Sequence, residues 1–569
     1  MSSEPRPAPS PAAELARRVV EAFQAETQYA PEALGFDFDL ESELGIDSVT
    51  LTSILVRLGT EFGLPDGSLR ARDFVTIRSV VERLASIDGL SVPPASPASA
   101  PLARREDESA TLPAHADSRR SAGATPDLEL MRSLPRAERG DPGPGAHARP
   151  PTRTMQDFLE LPDRDLFAKA RAFRTFLEER RRDRSYWYGM AVQGRSGRRA
   201  VIFDELEGRP REFLVMASND YLGLANHPKV IEAIRETAAT CGATHTGSRI
   251  IGGTNQLHKE LEARLARFKG TEAAIVFPSG YSANLGAVSA LVRRRDVAIG
   301  DRANHMSLVD GCKLSGGLMR IYAHRDMEDL ERVLVRSASE AEGKLVVTDG
   351  VFSMHGDIAP LPEIVRLARA HGAKVLVDDA HATGVLGATG AGTSEHFGLK
   401  GEIDIELGTF SKALAGVGGF VCASGDVVEY MRFYAHSYVF AATIPAPVVA
   451  GLIAALNVLV SEPERTLRLR TNIRSFKALL AAAGFDLGES ESAIVPVLVG
   501  DHETTLALGR AVRDRGLFCQ AVVYPGVPEG EERLRLSLSA EHTDEDLALA
   551  AGILDEAARE VGLSLPRSS

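Results

Sequence analysis

The chain has 569 residues, 44% of them apolar and 25% charged, enough material for more than one buried core. Its net charge of −13 and isoelectric point near 5.6 argue against a nucleic-acid-binding surface. No stretch approaches the roughly 20 uninterrupted apolar residues of a membrane span, and the order Met1, Ser2, Ser3, Glu4, Pro5, Arg6 is not that of a signal peptide, so a soluble, cytoplasmic protein is expected.

From the N-terminus, residues 11–91 read as a small helical bundle. Apolar residues recur at helical spacing through Leu15, Val19, Val20 and Phe23, again through Leu51, Ile54, Leu55 and Leu58, and finally through Ile77, Val80, Val81 and Leu84. The segment is acidic: between residues 12 and 92 there are 7 arginines and 14 acidic residues. Before the second helix stands Gly45-Ile46-Asp47-Ser48. Asp47 or Ser48 would serve there as an ordinary helix N-cap. The whole module, however, resembles an acyl or peptidyl carrier protein, and that resemblance implies that Ser48 carries 4'-phosphopantetheine, installed by a phosphopantetheinyl transferase and charged by acyl-loading enzymes. An acidic face suits basic partner enzymes.

Residues 92–160 are rich in Pro, Ala, Gly and Arg, with few large apolar residues, as in a flexible linker. A short cluster, Leu128, Leu130, Met131 and Leu134, is the one apolar interruption. The chain has only ten lysines against 55 arginines, and the first lysine is Lys169. Any lysine nucleophile therefore lies beyond the first quarter of the chain.

Residues 161–565 open with an amphipathic helical stretch around Phe167–Leu177 and continue as apolar strand runs alternating with helices. Ala273 to Phe277, Leu345 to Thr348 and Lys374 to Val377 are the clearest strands. Such continuous runs imply a parallel sheet covered on both faces, whose ligands gather at the carboxyl ends of the strands. The motifs fall at those ends. Ser218-Asn219-Asp220-Tyr221 and the glycine-rich stretch 246–254 would bring backbone close to a ligand or simply form turns. Pro278-Ser279-Gly280-Tyr281 follows a strand and opens a helix, a place for a phosphate or for a plain cap. His305 offers a flat ring to stack on a ligand, or a structural hydrogen bond. Ser353, Asp378 and His381 end further strands, as ligand contacts or as parts of a structural polar network. Lys412, in Gly408-Thr409-Phe410-Ser411-Lys412, follows Asp378 and His381 by about thirty residues. A lysine among small residues paired with a strand-end aspartate is the wiring for pyridoxal 5'-phosphate (PLP): the lysine binds the cofactor and the carboxylate keeps its ring nitrogen protonated.

Taken in order, these motifs resemble the alpha-oxoamine synthase family of fold-type I PLP enzymes, which includes 8-amino-7-oxononanoate synthase, 5-aminolevulinate synthase and serine palmitoyltransferase. The resemblance implies an α/β fold with a mainly parallel seven-stranded sheet in a large domain and a small α+β C-terminal domain. It implies Lys412 as the Schiff-base lysine, Asp378 as partner of the ring nitrogen, His305 as the stacking residue, and His381 and Ser353 beside the ring oxygen. Gly280, Tyr281 and Thr409 match phosphate contacts. Thr443 matches one reaching in from the second subunit of a homodimer. Asn219 and Arg535 match substrate contacts, Arg535 gripping the amino-acid carboxylate, for which a bidentate guanidinium is better suited than an ammonium. Three positions depart from the usual pattern: His355 stands in place of Asp, Ala382 in place of Gly or Ser, and Asp349 where some members have Glu.

The expected reaction is condensation of a small amino acid with an acyl thioester, with loss of the carboxylate, to give an α-amino ketone. A linker of about 60 residues would hold a thioester on Ser48 near the site at around millimolar effective concentration. Two alternatives use the same residues: a PLP aminotransferase or aldolase, and a synthase that takes free acyl-CoA while the carrier serves other proteins. The four cysteines, Cys241, Cys312, Cys422 and Cys519, have neither metal-ligand nor disulfide spacing, and no metal site is expected.

Overall fold

The computed structural model describes residues 11–27, 34–40, 44, 46, 48–64, 68–87, 155–159, 165–185 and 188–565. Gly45, Asp47, the apolar cluster at 128–134 and most of the 92–160 stretch lie outside the described residues.

Among the described residues, three α-helices build the N-terminal bundle: α1 (Pro11–Thr27), α2 (Ser48–Glu61) and α3 (Ile77–Ala85). Their apolar stripes meet in one core, with Val19, Phe23, Ile54, Leu58, Ile77, Val80 and Leu84 all fully buried. Helix α3 starts sharply because Thr76 and Ser79 cap each other's backbone N–H groups at 3.1 and 3.2 Å. Helix α2 begins at Ser48 itself.

Beyond it, a single helical turn, Met155–Phe158, lies at the far end of the stretch read as linker, and Phe158 packs on Phe173 and Phe176 of α4 (Ala168–Arg182). Then come β1 (Val192–Gln193), β2 (Arg199–Asp204) and β3 (Arg209–Val215), followed by α5 (Pro228–Cys241) and α6 (Gln256–Lys269). The next segment alternates strand and helix: β4 (Ala273–Phe277), α7 (Gly280–Leu291), β5 (Asp296–Asp301), α8 (Met306–Ser315), β6 (Leu318–Tyr322), α9 (Met327–Ser337), β7 (Gly343–Asp349), α10 (Leu361–Ala370), β8 (Lys374–Asp378), α11 (Thr393–His396), β9 (Ile405–Thr409) and β10 (Gly419–Ala423). After α12 (Gly425–Tyr434), α13 (His436–Val439), α14 (Ala446–Ser461) and α15 (Glu464–Ala482), the chain closes with β11 (Ile494–Leu498), α16 (His502–Asp514), β12 (Leu517–Phe518), β13 (Gln520–Val522), β14 (Arg533–Ser537) and α17 (Asp544–Glu560).

Strands β4 to β10 form one seven-stranded sheet in the order β4-β10-β9-β8-β7-β5-β6, parallel except for β10. Alternate side chains of β7 and β8 enter two separate cores: Leu345, Val347 and Leu376 pack under α7 and α8, while Val346, Val375 and Val377 pack under α9 and α10. That is why these strands read as unbroken apolar runs. A smaller sheet, β11-β14-β13, stands beside it, and β12 pairs in parallel with β3. No single helix among the described residues is long and apolar enough to cross a membrane; α14 and α15 pass together only with a 75° bend between them, and α14 packs on α5 and α6.

Beneath the strand ends lies a buried charge cluster. Lys269 is fully buried, with its Nζ 2.7 Å from Asp379 Oδ2 and 3.2 Å from Glu406 Oε2. The two carboxylates hold its ammonium above the usual lysine range against the opposing effect of burial. Asp379 also receives the Thr393 N–H, and a Cβ at Gly392, whose φ is +111°, would strike its Oδ2. Replacing Lys269 by Met would leave two buried carboxylates without their cation. Urea unfolding of Lys269→Met followed by circular dichroism is expected to give a loss of about 3–5 kcal/mol.

Candidate active site

Five strand ends of the large sheet deliver the predicted residues to one place. Gly280 follows β4, His305 follows β5, Ser353 follows β7, Asp378 and His381 end and follow β8, and Thr409 and Lys412 end and follow β9. Lys412 sits in a tight turn, closed by Phe410 N–H donating to Gly418 O at 2.9 Å and Gly416 N–H donating to Phe410 O at 2.8 Å. In that turn Ala415 holds φ at +51°, a region that residues with a Cβ seldom adopt. Turn and strand together fix where the amine points.

The groups share one electrostatic field. Burial brings the Lys412 ammonium down to about 8, against the attraction of Asp378 and Asp349. Asp378 is 4% exposed; its Oδ2 accepts a 2.6 Å hydrogen bond from Asn284 Nδ2, and its Oδ1 accepts from Ala380 N–H at 2.9 Å. Burial, reinforced by the Asp378 charge, pushes the Asp349 carboxyl well above the carboxylate range. Asp349 accepts from the His305 N–H at 3.1 Å, and His305 Nδ1 meets Ser307 Oγ at 2.7 Å, so the ring is held at both backbone and side chain. Burial lowers the His305 imidazole as well.

A second group lies toward β14. His381 Nδ1 is 2.6 Å from the Tyr221 hydroxyl. Burial, then the charges of Lys412, Arg535 and His305, drives the His381 imidazole well below its ordinary value, so it is neutral. Burial pushes the Tyr221 phenol up to about 12. Arg535 donates through Nε to the Ser353 carbonyl at 2.6 Å and through Nη1 to Ser537 Oγ at 3.1 Å, and it lies 3.5 Å from Asn219 Oδ1. Ser353 therefore acts here through its backbone, positioning the arginine.

The phosphate-side residues are arranged differently from one another. Ser279 caps α7 with Ser282 as its reciprocal partner. A Cβ at Gly280 would lie 2.9 Å from Thr409 Cβ and Oγ1, so only glycine lets this helix start approach β9. Thr409 Oγ1 meets Ser411 Oγ at 2.9 Å and donates to Gly418 O at 3.0 Å. Tyr281 is 43% exposed; its hydroxyl donates to Asp310, and this bond holds the phenol up to about 12. Its ring stands edge-on to His305 at 6.3 Å. Thr443 is tied instead to His258 Nε2 at 2.9 Å and, through its N–H, to Gly247 O at 3.0 Å. None of these bonds reaches the Lys412 group within one chain. Of Ser48 the structure gives the start of α2.

Tyr221 lies in the 218–221 motif and Asn284 just beyond the 278–281 motif, and only the folded chain puts Asn284 on Asp378 and Tyr221 on His381. The arrangement fits PLP: an amine of lowered basicity, a carboxylate fixed by an amide, a flat imidazole, and a glycine-opened helix N-terminus. Asn284 Oδ1 is also buried without a partner, as expected where a polar ligand is to be received.

This fold and site define a fold-type I PLP-dependent enzyme. Residues 211–554 match the family Aminotransferase class I and II, and residues 17–85 match Phosphopantetheine attachment site. The chain belongs to the aminotransferase class I and II family and, within it, to the alpha-oxoamine synthases, with a phosphopantetheine carrier module fused ahead of the enzyme. It is 49% identical over 555 residues to 4-hydroxy-2,2'-bipyrrole-5-methanol synthase PigH of Serratia sp. (strain ATCC 39006), covering 98% of this chain and 82% of that one. It is 44% identical over 358 residues to 8-amino-7-oxononanoate synthase 1 of Bacillus velezensis, covering 63% of this chain and 91% of that one. The structure of Sphingomonas wittichii serine palmitoyltransferase superimposes with a TM-score of 0.67 at 36% identity, covering 71% of this chain and all of that one. The chain is thus a PLP-dependent acyltransferase, with phosphopantetheine as its second prosthetic group.

An amine attacks a carbonyl only when unprotonated. The rate at which cofactor-free protein takes up PLP, followed by absorbance, is therefore expected to rise with pH through a midpoint of about 8. Lys412→Ala should abolish that rise.

Proposed function

We propose that this chain condenses a small amino acid with an acyl group carried on the phosphopantetheine of its own Ser48, releasing carbon dioxide and an α-amino ketone. The observation that carries this reading is the extent of the 49% identity, which runs through carrier and enzyme together. The second relative's name, 8-amino-7-oxononanoate synthase, describes a product with an amino group next to a ketone. Serine is the first amino acid to test. It appears in the name serine palmitoyltransferase, and decarboxylative condensation with serine leaves a hydroxymethyl beside the nitrogen, matching the methanol group in the name of the bipyrrole synthase.

When bound, PLP supplies an electron-accepting ring for the charge released at the α carbon. The protein's own groups do the rest. Arg535, steadied by Asn219, Ser537 and the Ser353 carbonyl, binds and orients the amino-acid carboxylate. Asp378, fixed by Asn284, would pair with the ring nitrogen. His305 would stack on the ring, His381 with Tyr221 would hold the ring-oxygen side, and Gly280, Tyr281 and Thr409 would hold the phosphate. Lys412, brought near neutrality, takes the α proton and returns one to the product. The α carbon bonds to the thioester carbonyl, the phosphopantetheine thiol leaves, and the carboxylate departs as carbon dioxide.

The enzyme works in this reading as a homodimer, with Thr443 of the partner subunit completing the phosphate site. Large apolar side chains exposed on one chain, Ile251 at 86%, Phe440 at 81% and Val417 at 60%, flank Thr443, the glycine-rich stretch and the Lys412 turn, and support this. The module boundaries are 11–91, 92–160 and 161–565, and four free cysteines fit a reducing, cytoplasmic setting.

Steady-state kinetics test the substrate assignment. Arg535→Lys is expected to lower kcat/KM for the amino acid about a hundredfold, equivalent to roughly 3 kcal/mol, while acyl loading of Ser48, followed by intact mass, stays unchanged. A separate comparison addresses the carrier: Ser48→Ala should abolish product from phosphopantetheine-loaded acyl groups. Undiminished product from the variant in the same loading mixture would rule out Ser48 as the acyl carrier.

A further inference from the structure

Behind the Ser353 turn, between the large sheet and the β11-β14-β13 sheet, lies a cavity of about 700 Å³. Three side chains on its wall, His324, His355 and Asp357, each bring one ligand atom to within 4.8 Å of the others. His324 Nδ1 is 2.8 Å from Asp301 Oδ1, and its Nε2 is 2.9 Å from Asp357 Oδ2. A carboxylate behind one nitrogen of an imidazole is the arrangement that fixes its ring and turns the other nitrogen toward a metal. His355 lies against His324 with ring centroids 5.0 Å apart. It is the residue that stands where the related pattern carries Asp.

A second observation is independent of this clustering. Asp357 is only 4% exposed, yet its Oδ1 is buried with no hydrogen-bond partner, while Oδ2 receives His324 and, at 3.3 Å, Arg325. A buried carboxylate oxygen without a donor requires an explanation such as an ion. Two imidazoles and a carboxylate suit zinc or cobalt far better than magnesium or calcium, which prefer oxygen ligands. Arg325 Nη1 donates both to Asp357 Oδ2 at 3.3 Å and to Glu489 at 2.6 Å, and Arg533 pairs with Glu531 at 2.9 Å, so each guanidinium beside the cluster has a carboxylate of its own.

We propose that His324, His355 and Asp357 form a binding site for a divalent transition-metal ion of the zinc or cobalt class, with its fourth position open to water in the cavity. The ion takes the place of the proton shared by His324 Nε2 and Asp357 Oδ2, which is released to solvent. It braces the turn whose Ser353 carbonyl holds Arg535 at 2.6 Å and whose Met354 carbonyl holds Arg533 at 3.1 Å, so its effect on catalysis falls on amino-acid binding.

The test uses the full chain with PLP bound and the carrier left unmodified, so that no prosthetic thiol competes. Titration with Co²⁺ alone should produce a visible ligand-field band that saturates at one equivalent, and Zn²⁺ should displace it. His355→Gln, at a position outside the catalytic machinery, should weaken Co²⁺ binding at least about tenfold while leaving the PLP absorbance unchanged. Absence of the band, or a band with the same midpoint in His355→Gln, would overturn the proposal.

Discussion

Two opposite charges at neighbouring strand ends, the ammonium of Lys412 after β9 and the carboxylate of Asp378 at the end of β8, are the constraint around which the catalytic module is built. Parallel neighbours stand about 4.8 Å apart, so residues just past their carboxyl ends converge whatever their separation in sequence. Burial makes the lysine a weaker base, and Asp378 keeps part of its charge. The balance leaves an amine able to give and take a proton near neutrality. It holds only because Asp378 is fixed by Asn284 and because the next residue, Asp379, is anchored to the buried Lys269.

The fold was readable because the chemistry of a doubly covered parallel sheet is local. Alternate residues of β7 and β8 enter different cores, so residues 345–347 and 375–377 are all apolar and the strands stand out in the sequence. The strand-end motifs followed, and Lys412, Asp378, His305 and His381 come together in the structure. What sequence could not supply were pairings between distant segments. Tyr221 meets His381 across 160 residues and Asn284 meets Asp378 across 94; neither pairing leaves a mark on local periodicity. Ser353 follows a strand end, and the fold adds that its carbonyl holds Arg535 across 182 residues, a pairing that local sequence does not show. His355 was visible only as a departure from a pattern. Its meaning depends on His324, 31 residues earlier at the end of a different strand.

The two modules rest on different physics. The carrier is a small amphipathic bundle whose single core is closed by three helices and a capping box. The enzyme is a large layered domain whose site depends on buried charge. In the proposed reading, joining them raises the concentration of one reactant, and so favours a specific acyl group over the pool of free thioesters.

That coupling is the central claim, and intact-protein mass spectrometry tests it most directly. The chain would be phosphopantetheinylated, loaded with a panel of acyl groups and mixed with PLP and single amino acids, serine first. The account predicts that the acyl mass leaves the chain only in the presence of one amino acid, as an amino ketone of the matching mass appears. Retention of the acyl group on Ser48 while the same acyl-CoA is consumed in solution would contradict it.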